Sequence, residues 1–324
     1  MMVGTRTMTK ACALLHGALA LLIWHPASAE TYPSRPIRLV VPYAAGGPTD
    51  LAARQIAESL RPHLRQPVII ENRGGAGGIP GTEAVAQAAR DGYTLLVGAA
   101  GPLVVSPSVK RLRYDVEKDL APVAEIWRSS QVLAVNRQAG VKSILEFVAH
   151  AKKNKLNGGS AGNGTLPHLS LVLMNEVAGT SIAHVPYRGT GAAIQDLIGG
   201  QIDVIFGDTA VLAPSIASGA LVALAVTSPR RSALLPDTPT MAEAGYPQIV
   251  AESWYGLLAP AGLDQGVLQR IVTATQAALK EPAFVAALKQ QGATVEYATP
   301  EAFRALIREE AMRWGPIARL AGLQ

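Results

Sequence analysis

The sequence predicts an α/β protein of two lobes, each a mainly parallel sheet flanked by helices. Three observations carry this expectation. In the first third of the chain, strand-length apolar runs alternate with helical patterns, which makes βαβ units and hence parallel pairing. A second series of the same kind starts at Val132. One device also occurs twice: Val41-Pro42-Tyr43 leads into a glycine loop and a helical pattern, and Val185-Pro186-Tyr187 does so again.

The elements follow in order. Ile37 to Val41 reads as a strand, Leu51 to Leu60 as a helix, Val68 to Glu71 as a strand, Thr82 to Ala89 as a helix and Thr94 to Val97 as a strand. From Val132 the second series has helices over Ile144 to Lys153, Leu169 to Val177 and Ala192 to Ile198. Its strands are Ile182 to Val185, Val204 to Phe206 and Leu221 to Val226. Trp254 to Leu258 is a further strand, followed by helices near Gly266 to Lys280 and Pro300 to Leu320. Asp264 is placed to cap the first of these, and Thr299 with Pro300 to start the second. The apolar residues Phe303, Ile307 and Trp314 give the last helix a face that must be buried, and its return to the first lobe is expected. The predicted division is a targeting segment over 1–29, one lobe from 30–130 with 255–324, and the other from 131–254.

The targeting segment has Arg6 and Lys10 before an apolar run from Ala11 to Trp24, then Ala27-Ser28-Ala29 in the small-x-small pattern of a cleavage site. The run is shorter than the roughly 20 residues a bilayer needs, so an exported chain cleaved after Ala29 is expected. The single cysteine, Cys12, lies inside this segment, which leaves no thiol for a disulfide, a metal site or catalysis. Hydrophobic residues make up 49% and charged residues 16% of the 324 positions, with 31 glycines, a composition of compact, loop-rich proteins rather than disordered ones. Aromatics at 5% argue against base or sugar stacking as the main business of the chain. Basic residues are dispersed: Lys110-Arg111-Leu112-Arg113 and Lys152-Lys153-Asn154-Lys155 are short and isolated, so no nucleic-acid partner is expected.

The glycine loops carry the functional expectation. In a parallel α/β sheet the loops at the carboxyl ends of strands line the ligand crevice, and helix N-termini there present unpaired N–H groups. VPYAAGGPTD (41–50) therefore reads as an anion seat that needs no basic side chain. The loop Ser160 to Thr165, the loop Pro186 to Gly191 and Gly207-Asp208 at a strand end read as further seats in the second lobe. Any one of these loops alone reads better as a structural turn; the expectation rests on their number and their places. Asp50, in a first helical turn, is expected to serve the helix start rather than a ligand. Asp208 repels a carboxylate and suits an ammonium or hydroxyl group. His168 is expected to be a local hydrogen-bond partner, and Arg188 is open to two readings, a carboxylate partner or a solvated side chain.

Other chemistries fare worse. Gly74-Gly75-Ala76-Gly77-Gly78 has neither the Gly-x-x-x-x-Gly-Lys-Ser/Thr nor the Gly-x-Gly-x-x-Gly spacing of nucleotide loops. Gly158-Gly159-Ser160-Ala161-Gly162 satisfies the Gly-x-Ser-x-Gly pattern of a hydrolase elbow. Lys155-Leu156-Asn157 before it is a poor strand, and His184 is the last histidine, so no histidine is expected to reach Ser160. His63, His150, His168 and His184 lack the i, i+4 spacing of a zinc site. No cofactor, no metal and no enzymatic activity are expected.

PYAAGGPTDLAAR, ENRGGAGGIPGTEAVAQAARDGYTLLVG, SAGNGTLPHLS, VPYRGTGAAIQDLIGGQIDVIF and ESWYGLLAPAGL together resemble the Bug-type periplasmic solute receptors of tripartite tricarboxylate transporters. The resemblance covers essentially the whole chain after the targeting segment. It implies a two-lobed periplasmic-binding-protein (flytrap) fold that closes on a small carboxylate, held through backbone amides, hydroxyls and water. It also implies location in the periplasm, a monomer, and membrane permease subunits of a tripartite transporter as partners. Carried over by position, it marks Tyr43, Ala45, Gly46, Gly47 and Thr49 as one ligand loop and Gly162, Asn163, Gly164 and Thr165 as the loop facing it. Tyr187, Gly189 and Asp208 are further ligand positions. Delivery of the ligand to a membrane sensor kinase, rather than to a permease, fits the same lobe chemistry.

Overall fold

A computed structural model describes residues 32–323; the expected targeting segment and its cleavage site lie outside the described residues. The first series is β1 (Ile37–Val41), α1 (Pro48–Leu64), β2 (Val68–Asn72), α2 (Ile79–Ala86) and β3 (Thr94–Ala99). β1 pairs in parallel with both β2 and β3, as the alternation dictates. α1 buries Ala53, Ile56, Ala57, Leu60 and Leu64 at helical spacing.

A long strand, β4 (Leu120–Asn136), opens the second series. It is followed by α3 (Ile144–Ala151), β5 (Asn157–Ser160), α4 (Leu166–Ala178), β6 (Ala183–Pro186), α5 (Thr190–Ile198), β7 (Val204–Asp208), α6 (Thr209–Ala217) and β8 (Leu221–Val226). The chain then returns through β9 (Glu252–Pro260), α7 (Gln265–Ala278), α8 (Pro282–Gln290), β10 (Ala293–Thr294) and α9 (Pro300–Leu320). β5 pairs in parallel with β6 and β7. The sheet order is β2-β1-β3-β9-β4-β7-β5-β6. β4 runs antiparallel to β9 along Leu120–Ser130 and to β7 along Gln131–Val135, so one strand is shared by both halves of the sheet.

Two expectations were too short here. β4 begins at Leu120, not Val132, because Glu125, Arg128, Ser129, Ser130 and Gln131 interrupt the apolar pattern while being buried. Each has found a partner: Glu125 accepts N–H bonds from Glu296 and Tyr297 at 2.8 and 2.9 Å, Arg128 lies 2.8 Å from Glu125, and Gln131 accepts from Ser170 at 2.8 Å. The segment before Ser160 is a strand after all. Its glycines are dictated by close packing, since a Cβ at Gly158 would lie 2.7 Å from Leu171 and one at Gly159 2.4 Å from Ile202. α6 and α8 were not anticipated either.

The expected caps are present. Asp264 accepts the N–H groups of Gly266 and Val267, and Thr299 accepts that of Ala302. α9 buries Phe303, Leu306, Ile307, Trp314 and Ala318 in one apolar cluster with Val40, Leu96, Trp254, Leu166 and Leu169. Burying Phe303 contributes about 1.5–3 kcal/mol. Glu310 of α9 also accepts the indole N–H groups of Trp254 and Trp314, at 3.1 and 2.9 Å. Among the described residues no helix is long and apolar enough to cross a membrane.

Candidate functional site

Four helices begin at one cavity. The N-cap residues are Gly47 for α1, Thr165 for α4, Gly189 for α5 and Asp208 for α6, and all four line it. None caps its helix with a side chain. Two are glycines, and the Thr165 hydroxyl instead donates to the Gly162 carbonyl at 2.8 Å. Helix N-termini hold N–H groups without intrahelical partners and carry the positive ends of the helix dipoles. The cavity therefore gathers N–H donors and positive helix ends without a cationic side chain: no lysine, arginine or histidine lies on its wall.

The cavity volume is about 50 Å3. One water requires roughly 10–15 Å3 on the same scale, so the space suits a few waters or a small solute. Its apolar side is formed by Ala99, Ala100, Leu166 and Trp254. Tyr43 forms another wall and donates its hydroxyl to the Gly77 carbonyl at 3.3 Å. Asp208 is 2% exposed and accepts hydroxyl bonds from Ser129 and, at 2.9 Å, Tyr255. Burial pushes its carboxyl up to about 6, against the downward pull of the Ser129, Tyr255 and Ser253 hydroxyls.

Of the residues marked in the sequence, Tyr43, Gly47, Thr49, Thr165, Gly189 and Asp208 lie on the cavity wall. Ala45 and Gly46 are exposed at the loop tip, and the Gly46 N–H goes to Asp50 at 3.1 Å. Gly162, Asn163 and Gly164 stand behind Thr165, and the last two line a separate cleft with Ala76 and Lys110. Tyr187 turns away and donates to Asp196 at 2.7 Å. Asp50 serves the loop, as expected. Burial raises its carboxyl, but bonds from Arg54, Gly46 and Asn72 outweigh that and leave it lowered. Arg188 is exposed and off the wall. Sequence reasoning missed Ser129, Ser253 and Gly101; Tyr255 was read only as part of a strand, though its hydroxyl beside Trp254 was a usable signal.

One expectation is corrected. His184 does reach Ser160: its Nε2 lies 2.6 Å from the Ser160 Oγ, because β6 pairs with β5 beside that serine. The arrangement is closed to chemistry nevertheless. Ser160 is fully buried and its Oγ also accepts the Gly162 N–H at 3.1 Å. The His184 ring stacks on His168 at 3.6 Å, and the His168 Nδ1 accepts the Gly164 N–H at 3.2 Å. The two rings thus brace the loop that leads into α4.

Comparison with known proteins agrees with this geometry. The family described as tripartite tricarboxylate transporter family receptor matches residues 52–323. Protein BugT of Bordetella pertussis is 39% identical over 301 residues, 92% of each chain. The solved structure of the periplasmic binding protein BugD superposes with a TM-score of 0.86 at 38% identity, covering 90% of this chain and 99% of that one. MatC from Rhodopseudomonas palustris with bound malate superposes with a TM-score of 0.84 at 33% identity, covering 89% and 100%. The fold is accordingly the two-lobed fold of periplasmic binding proteins, and the family and these neighbours are solute-binding proteins, not enzymes.

Proposed function

The chain belongs to the family of tripartite tricarboxylate transporter receptors, and from that premise we propose that it captures a small carboxylate between its two lobes and delivers it to the permease subunits of a tripartite transporter. The observation that carries this reading is the meeting of four uncapped helix starts at a cavity without a cation. Each N–H bond to a charged group contributes about 1.5–3 kcal/mol, so three or four offset desolvation and reach micromolar affinity. The ligand wall comprises Tyr43, Gly47, Thr49, Thr165, Gly189 and Asp208, with Gly162 to Gly164 setting the loop behind it. The lobes comprise 30–130 with 255–324, and 131–254, and the chain works as a monomer in the periplasm after export through a cleaved N-terminal signal.

A thermal-shift screen tests the reading. Small mono- and dicarboxylates, malate among them, should raise the melting temperature, and neutral sugars and nucleotides should leave it unchanged. At a hundredfold excess over Kd the stabilisation is about 2.7 kcal/mol. A response to sugars alone would overturn the proposal.

A further inference from the structure

Asp208 is the one carboxylate on the cavity wall, and no basic side chain shares that wall with it. It stands at the start of α6 without capping it. Its Oδ1 accepts the Ser129 hydroxyl and its Oδ2 the Tyr255 hydroxyl. A carboxylate offers about four acceptor positions; the Ser253 hydroxyl and the backbone N–H of Asp208 itself also act on it, so neutral donors alone hold the Asp208 carboxylate. Tyr255 is held well above its usual range by burial, so it remains a hydroxyl donor. Neutral donors orient the Asp208 charge; they do not cancel it.

A ligand carboxylate seated on the helix starts would share about 50 Å3 with Asp208. Two like charges in one enclosed space disfavour each other's ionisation, and the conflict disappears when the ligand also brings a positive charge. We propose that the ligand is a small α-amino acid, its carboxylate on the helix N–H groups and its ammonium on Asp208. The inference rests on the receptor reading above and narrows it. The cavity size and the apolar side formed by Ala99, Ala100, Leu166 and Trp254 favour a short, uncharged side chain of the size of alanine or serine. Because burial pushes Asp208 up to about 6, the amino-acid site weakens as pH falls below that value and the carboxylate takes a proton.

The test is calorimetric titration of the full chain with alanine and serine against their partners without nitrogen, propionate and lactate, at about pH 7.5 and pH 5. Alanine or serine should bind at least about tenfold more tightly than its partner at the higher pH, and the advantage should shrink at the lower one. Asp208→Asn should remove that advantage, bringing the affinity ratios of alanine to propionate and of serine to lactate to about one. Equal or tighter binding of the nitrogen-free acids to the wild type would overturn the ammonium assignment and leave the receptor reading standing. Binding of neither set, with no response to malate or succinate, would overturn both. Equal loss of all ligands in a folded Asp208→Asn protein would make Asp208 a tie between Ser129 and Tyr255 only, again against the proposal.

Discussion

The backbone of Gly77 abuts the Asn163 carbonyl so closely that a Cβ at Gly77 would lie 2.5 Å from that oxygen. Gly77 stands between β2 and α2, and Asn163 between β5 and α4, so the contact joins loops carried by the two halves of the sheet. Gly77 also has φ +67, a conformation few side chains adopt without strain. Gly77→Ala should therefore hold the two loops apart. We expect affinity for the best acid of the thermal screen to fall at least about tenfold, with circular dichroism unchanged and without the contraction on binding that small-angle scattering should record for the wild type. Full affinity in a folded variant would mean that this contact plays no part in closure.

The glycine loops were legible because glycine and proline punctuate the chain where strands end and helices begin, as at Gly47-Pro48 and Gly164-Thr165. The alternation of β1, α1, β2, α2 and β3 was legible for the same reason that it folds, namely the period of its apolar residues. What stayed hidden depends on tertiary partners. The middle of β4 hides its strand, because Glu125 and the run Arg128 to Gln131 interrupt the apolar pattern; Glu125 is satisfied only by the N–H groups of Glu296 and Tyr297, and no local pattern announces a partner that far along the chain. β5 looks like a loop because its glycines answer to Leu171 and Ile202. Ser129 and Tyr255 join Asp208 only because β4, β7 and β9 run side by side.

The histidine pair gives stability a pH dependence of definite sign. Burial, then the adjacent His184, pushes His168 down to about 3, and burial pushes His184 down to about 4. Unfolded, both return to about 6.5. Between pH 6.5 and about 4 the unfolded chain then binds more protons than the native one, so this contribution is complete above pH 6.5 and is lost as pH falls. Each such proton gives a slope of about 1.4 kcal/mol per pH unit. Asp208, raised to about 6, contributes with the opposite sign as it takes a proton, so the comparison must be with a variant. Urea unfolding at a series of pH values should show a shallower acid-side loss in His168→Gln than in the wild type. Identical slopes would mean that His168 is not held neutral in the fold.

Ser160→Ala separates bracing from catalysis. The hydroxyl serves both the His184 Nε2 and the Gly162 N–H, and its removal leaves buried polar groups without a partner. Such a loss costs about 1–3 kcal/mol, so the urea midpoint should fall while hydrolysis of a p-nitrophenyl ester stays at the uncatalysed level in both proteins. Ester hydrolysis above background that disappears in the variant would reinstate a nucleophilic serine.

Gly47 offers the cleanest separation of binding from folding. It is the N-cap of α1 with φ −88 and ψ 174, ordinary extended values, and a Cβ there would meet nothing closer than the Ala44 carbonyl at 3.8 Å. A side chain is therefore admitted without strain. Aspartate is a better N-cap than glycine by a few tenths of a kcal/mol, since its carboxylate accepts the N–H groups of the first turn. Those are the donors the proposed ligand needs, and a fixed anion beside them also repels an incoming one. Gly47→Asp should hence still fold, the better cap offsetting in part the repulsion from Asp208 on the same wall, yet abolish the rise of the melting temperature with carboxylates. Gly47→Ala, which adds the Cβ without the charge, should retain most of the affinity. If Gly47→Asp still binds acids at wild-type strength, the start of α1 is not where the carboxylate sits. If the alanine variant loses binding equally, space and not charge governs this wall.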